Sequence, residues 1–268
     1  MKPFVLFLIS LLAATVVVDA QQRTAGVPAG TIVDLSYAFN ATTVYWPTAE
    51  TFKLEKDFEG NTEQGYYYSA YRYSAAEHGG THIDSPVHFA KGAHTVDQIP
   101  LAQLWGPGVL IDVTGQCAGN SDYLITESDF KSWEQRHGKI PAGTIVLLRT
   151  GFGKFYPDPK RYLGTDQRGA TAVADLHFPG LHPDAARWLT RNRRIKAIGL
   201  DTASIDYGQS KLFESHRTLF ANNIPAFENV ANLDKLPATG FTIIALPMKI
   251  EGGSGGPLRI VAVVASRK

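Results

Sequence analysis

A single cysteine, two methionines, no block of like charge and no long apolar run after residue 20 mark this chain of 268 residues. Each scarcity removes a class of explanation. With Cys117 alone, no intrachain disulfide can form, so stability must come from a hydrophobic core. The 44% hydrophobic content supplies one. Cys117 itself is expected as a small buried apolar residue rather than a nucleophile. The 26 Lys and Arg are balanced by 25 Asp and Glu and are not clustered, so neither nucleic acid nor an anionic membrane surface is expected as a partner. Repeats and low-complexity segments are also missing, which argues against solenoids and linkers.

The first twenty residues differ from the rest. Lys2 gives a positive start, Phe4 to Val18 is almost unbroken apolar sequence, and Val18-Asp19-Ala20 places small residues where a signal peptidase cuts. A stretch of 15 residues is short for a bilayer span, which needs about 20. We therefore expect a secretory signal over residues 1–20, one domain over residues 21–268, and a secreted mature protein with no membrane segment. Asn40-Ala41-Thr42 is an N-glycosylation sequon.

Apolar and β-branched runs bounded by Gly or Pro predict strands at Thr31 to Leu35, Tyr66 to Ala75, Val109 to Val113, Thr144 to Arg149, Ile195 to Leu200, Phe241 to Leu246 and Leu258 to Val264. Helices are expected from Thr126 to Gly138, where Thr126 and Asp129 offer a capping signal, from Pro183 to Asn192, and from Leu212 to Ala221. Strands and helices interleaved without strict βαβ regularity predict a mixed α/β domain rather than a doubly wound sheet.

Chemistry concentrates in His78-Gly79-Gly80-Thr81-His82-Ile83-Asp84-Ser85-Pro86-Val87-His88-Phe89. Imidazole and carboxylate suit zinc, manganese or iron, and three protein ligands beside an open position describe a catalytic site rather than a structural one. His82 and Asp84 are two residues apart, so in extended chain they share a face. Gly79-Gly80 permits a turn that brings His78 back to them, and Pro86 keeps the segment out of a helix interior. His88 follows just beyond, near enough to act as a base without being a ligand.

This segment strongly resembles the H-x-G-T-H-x-D-x-P-x-H-F signature of the cyclase family and matches it at every fixed position. His216 and Glu228 stand twelve residues apart, as do the family's distal histidine and carboxylate. Gly199 to Ser204, Ala231 to Pro237 and Gly255 to Arg259 resemble further family blocks in the right order. The resemblance covers essentially the whole chain after the signal. It implies a mixed α/β fold with a barrel-like central sheet and surrounding helices, assembled as a homodimer or higher oligomer. His78, His82 and Asp84 would hold a first metal, with His88 as general base. In the formamidase branch a second ion is shared by Asp84, His216 and Glu228; the isatin hydrolase branch is described with one, often manganese. Zinc or manganese, one ion or two, follows from the resemblance, and His216 with Glu228 could instead orient substrate or water.

An amide carbonyl is a poor electrophile and water a poor nucleophile. A divalent ion repairs both defects, polarising the carbonyl and lowering the pKa of bound water from about 15.7 towards 7. Imidazole at His88 suits proton transfer near neutral pH. The first expected function is arylformamidase, opening N-formyl-kynurenine to kynurenine and formate. The alternatives are ring opening of a cyclic amide such as isatin and a secreted binding protein that has lost turnover. The intact ligand set argues against the last, while secretion sits awkwardly with tryptophan catabolism. Tyr45-Trp46 and Tyr66-Tyr67-Tyr68 offer an aromatic wall, although such residues in strands more often pack. Arg72, Asp201 and Asp206 are expected to be solvated or structural, and Glu77 is a candidate partner for a ligand. His94, His177 and His182 are expected at the surface or in caps.

Overall fold

The computed structural model describes residues 30–265; the expected signal over residues 1–20 lies outside them. Twelve strands are present among the described residues: β1 (Gly30–Asp34), β2 (Lys53–Asn61), β3 (Tyr67–Ser74), β4 (His82–Asp84), β5 (Trp105–Asp112), β6 (Leu124–Ile125), β7 (Ile145–Arg149), β8 (Gly180–Leu181), β9 (Ala197–Leu200), β10 (Ala226–Glu228), β11 (Phe241–Pro247) and β12 (Gly255–Ala265). The main sheet runs β12-β11-β5-β7-β9-β10-β4 and closes because β4 pairs back onto β12. One edge of β12 is divided, its start bonding β4 and its end bonding β1, so the barrel shuts without a free edge there. Pairing is parallel through β5, β7, β9 and β10 and antiparallel elsewhere. The expected mixed α/β class with a barrel-like sheet is what forms.

Two apolar layers explain why β7 reads as an unbroken hydrophobic run. Ile145 and Leu147 pack with Leu110, Phe227, Ile243 and Ile260 inside the barrel, whereas Val146 and Leu148 face Phe130, Trp133, Leu189 and Phe220 of the outer helices. A strand buried on both faces needs no polar alternation. Helix Glu127–His137 has the predicted capping box of Thr126 and Asp129, and its Trp133 indole donates to the Leu110 carbonyl at 2.8 Å. Helix Pro183–Asn192 has Pro183 in its first turn, and the His182 side chain caps it by accepting from the Asp184 N–H.

Two expectations shift. The helix predicted from Leu212 to Ala221 spans Glu214–Phe220, because Phe213 takes a left-handed conformation that a helix interior cannot hold. β2 was not expected at all. Its sequence, Lys-Leu-Glu-Lys-Asp-Phe-Glu-Gly-Asn, has no apolar face because both faces of the β2–β3 hairpin meet solvent.

Candidate metal centre and pocket

The short strand β4 is the foundation of the site. His82 and Asp84 project from one face of it, and both side chains are buried. On one side β10 lies antiparallel, in a register that sets Glu228 directly opposite His82. On the other, β12 sets Gly255 opposite Asp84. Gly255 is required by close approach: a Cβ there would come within 2.6 Å of His78 Cε1 and of the Ile83 carbonyl. The missing side chain is the space through which His78 reaches Asp84. Gly79 is constrained in the same way, since its absent Cβ would sit 2.0 Å from the Tyr45 ring. His216 arrives from the first turn of helix Glu214–Phe220, so the candidate ligand atoms of His78, His82, Asp84, His216 and Glu228 converge from three stretches, residues 78–84, the helix and β10.

The hydrogen bonds assign the histidine tautomers. His216 Nδ1 lies 2.6 Å from the Asp206 carboxylate, which accepts its proton. The remaining lone pair, on Nε2, faces Asp84 and Glu228, each at 3.1 Å. His82 Nδ1 donates to the Gly80 carbonyl at 3.0 Å, and its buried Nε2 has no hydrogen-bond partner. That nitrogen stands 3.1 Å from Asp84 Oδ1. Ser254 donates its hydroxyl proton to Glu77 at 2.6 Å and so accepts from His78 Nε2 at 2.9 Å. His78 Nδ1 is left facing Asp84 at 2.6 Å. Each imidazole thus spends its proton on an outer acceptor and turns a lone pair towards the same carboxylates.

Acceptors facing acceptors in a buried site are relieved by a cation placed between them. Without one, protons are drawn in. Burial opposes charge on His216, yet hydrogen bonds to Asp206, Asp84 and Glu228 outweigh it and raise its pKa well above the usual imidazole value. His82 is raised in the same sense, burial being overcome by Asp84 and Glu228. Glu228 is raised by burial and by the Asp84 charge. The ligand atoms form two groups, His78, His82 and Asp84, and Asp84, His216 and Glu228. The orphaned His82 nitrogen, the aligned lone pairs and the N/O donor chemistry all fit a divalent metal ion.

His88 belongs to neither group. It ends a short turn, Pro86–His88, and its ring stacks on His78 with centroids 3.9 Å apart. The residue is exposed overall, but one face of its ring is covered by the His78 ring. That shielding lowers its pKa to about 4, opposed by the Asp84 charge and assisted by the neighbouring histidines, leaving a neutral imidazole able to accept a proton.

A cavity of about 290 Å³ opens onto these groups, walled by Val44, Tyr45, Trp46, Phe89, Phe213 and Ala76. Its described lining contains no lysine or arginine. Arg168 buttresses the Tyr45–Trp46 wall from behind, donating to the Trp46 carbonyl at 3.0 Å and to those of Tyr45 and Ala49. A larger cavity, about 760 Å³, lies at the C-terminal ends of β5, β7 and β9, but no ligand group of the described residues converges there.

Other sequence expectations sort clearly. Tyr66, Tyr67 and Tyr68 lie exposed on or beside the hairpin, away from the cavity, whereas Tyr45 and Trp46 line it. Arg72 pairs with Glu55 and Asp57 at the surface. Asp201 is buried and structural, accepting from Thr150 and Gly151 backbone N–H groups at 2.7 and 2.9 Å. Asp206 is also buried but orients a candidate ligand, a role the sequence did not signal. Ser254 was missed too; the glycine-rich run from Gly252 to Gly256 was its available trace, marking a close backbone approach. His177 pairs with Asp122 at the surface, His182 caps a helix, and His94 is part-buried with an unpartnered Nδ1.

The comparisons with known proteins agree with this geometry. The Cyclase family model matches residues 33–207. Isatin hydrolase of Roseibium aggregatum is 32% identical over 266 residues, covering 92% of this chain and 98% of that protein. Kynurenine formamidase of Bacillus cereus is 29% identical over 236 residues, covering 85% and 95%. The solved structure of isatin hydrolase A from Ralstonia solanacearum superposes with a TM-score of 0.78 at 33% identity, covering 87% of this chain and 92% of that one. Family match, fold and convergent ligand set lead to one conclusion: the chain belongs to the cyclase family of metal-dependent hydrolases.

Proposed function

We propose that this protein opens the ring of a neutral aromatic cyclic amide of the isatin type, with His78, His82, Asp84, His216 and Glu228 as the metal ligands and His88 as the general base. The observation that carries the choice is the cavity wall, which beyond the ligand cluster, His88, Ser204 and Asn229 is aromatic and aliphatic and presents no Lys or Arg. N-formyl-kynurenine carries an α-carboxylate and an α-ammonium group, whose burial without partners would be costly. Isatin carries no charge. The similarity to isatin hydrolases supports the same choice, while similarity to kynurenine formamidases makes arylformamidase the second reading.

When bound, a divalent ion supplies Lewis acidity towards the carbonyl and lowers the pKa of water in the site. The chain's own residues do the rest. Trp46 and Phe89 exclude water from the substrate ring and hold it flat. The water oxygen bonds to the amide carbonyl carbon as His88 accepts its proton; the C–N bond then breaks, and His88 returns that proton to the leaving nitrogen. Isatin and one water become 2-aminophenylglyoxylate, whose new carboxyl group ionises and releases one proton. A pH indicator and the loss of isatin absorbance follow the two together. Turnover of isatin well above that of N-formyl-kynurenine is expected; the reverse order would assign the arylformamidase reading instead.

The β2–β3 hairpin supports assembly with a second copy. Tyr66, Tyr67, Tyr68, Tyr71, Tyr73 and Phe58 are 41 to 61% exposed. They divide between the two faces, Phe58 and Tyr68 on one and Tyr67, Tyr71 and Tyr73 on the other, so at about 150–250 Å² per aromatic side chain each face offers roughly 300 Å², well short of the ~800 Å² per partner of a standard interface without edge pairing in addition. A lone hairpin is marginal in water, and its outer edges are open to pairing. Light scattering should give a dimer or larger, and charged substitutions at Tyr67 and Tyr71 should shift it towards monomer.

A further inference from the structure

Phe213 has φ 48° and ψ 44°, the left-handed region that glycine enters freely and a bulky aromatic residue rarely does. Three of the five non-glycine residues with positive φ among those described are asparagines, which tolerate it. Phe213 is the aromatic exception. Core packing does not account for the strain, because the side chain is only half-buried. Its ring instead lines the cavity of the ligand cluster, packed against Phe89 at 5.1 Å between centroids and 6.2 Å from His216. The backbone is pinned on both sides. Its N–H donates to Ser210 Oγ at 3.2 Å, and its carbonyl accepts from the Arg217 N–H at 3.0 Å in the first turn of the helix. Ser210 in turn lies 3.4 Å from Asp206, the carboxylate that holds His216. One anchor therefore fixes the Phe213 ring and a candidate ligand at a set distance from each other.

We propose that Phe213 is a specificity-determining residue: its ring forms the face against which the aromatic ring of the substrate packs, and the left-handed backbone is retained for that placement. Strained residues persist where the surrounding structure over-determines them, often at ligand sites. A negative φ would redirect the Cα–Cβ bond and move the ring out of the cavity. The inference rests on the aromatic-amide reading above, and it deepens that reading by naming the residue that selects the ring.

The test compares Phe213→Ala with Phe213→Gly in the metal-loaded protein, measuring metal content, melting temperature, isatin kinetics and binding of the product 2-aminophenylglyoxylate by calorimetry. Loss of one aromatic contact should raise KM and weaken product binding by about 3- to 10-fold in both variants, with kcat and metal content little changed. The glycine variant should melt about 2–4 °C above the alanine variant, opposite to the usual order, because only alanine retains the strain. Unchanged KM and product affinity, or loss of metal, would overturn the proposal and leave Phe213 a structural residue. A wild-type protein that binds product tightly but does not turn over isatin would refute the reaction, and the ratio of product affinities would still decide the role of Phe213.

Discussion

Replacing Asp206 by asparagine tests how the centre is organised without touching a candidate ligand. The carboxylate is buried and accepts from His216 Nδ1 at 2.6 Å and from the backbone N–H groups of His216 and Ser215 at 3.1 and 3.2 Å. It keeps His216 in the tautomer whose Nε2 lone pair faces Asp84 and Glu228. An amide at this position can present its NH₂ to Nδ1, which moves the imidazole proton to Nε2 and aims it at the place where a cation belongs. Orienting partners of metal-bound histidines are worth about 10- to 100-fold in affinity, or roughly 1.4–2.8 kcal/mol. The change also weakens charge-assisted bonds at a helix start, costing about 1–3 kcal/mol of folding stability. Titration of chelator-stripped protein with Zn²⁺ or Mn²⁺, beside denaturant unfolding, separates the two effects. Affinity within twofold of wild type in a folded Asp206→Asn protein would refute the tautomer argument.

Other consequences are equally direct. His88→Gln should reduce kcat by about 10²- to 10⁴-fold with metal content unchanged; parallel loss of metal would make His88 a ligand. Gly255→Ala should displace His78, given the 2.6 Å contact its Cβ would make, and lower metal content with it, as elemental analysis would show. Burial pushes the Cys117 thiol up to about 12, so it should resist thiol reagents at pH 8 and react once the chain is unfolded; rapid labelling of native protein would contradict its burial. For the N-terminus, we propose cleavage after Ala20, and sequencing of protein from a secreting host should begin at Gln21.

Much of this candidate site was legible in the sequence because several of its candidate ligands sit on local geometry. The two-residue spacing of His82 and Asp84 dictates a shared face in any extended segment, and the Gly79-Gly80 pair permits the turn to His78. Glu228 was found by family resemblance alone; what places it is the antiparallel register of β10 on β4, which no local pattern encodes. Asp206 and Ser254 escaped for a related reason. A polar residue that orients a ligand looks, in sequence, like any loop residue, and its role depends on which side chain folding brings alongside. β2 escaped because an exposed strand has no hydrophobic alternation to detect. Phe213 cut short a helix whose apolar pattern was sound, since side-chain periodicity does not report a backbone held left-handed by tertiary contacts.

The central claim is that imidazoles and carboxylates from β4, β10, helix Glu214–Phe220 and the turn at His78 hold a divalent ion that drives amide hydrolysis. Metal analysis of the purified protein, with isatin hydrolysis followed before chelation, after chelation and after restoring Zn²⁺ or Mn²⁺, tests it most directly. The account predicts one or two ions per chain, activity lost on stripping and regained on reloading. Full activity in metal-free protein would contradict it.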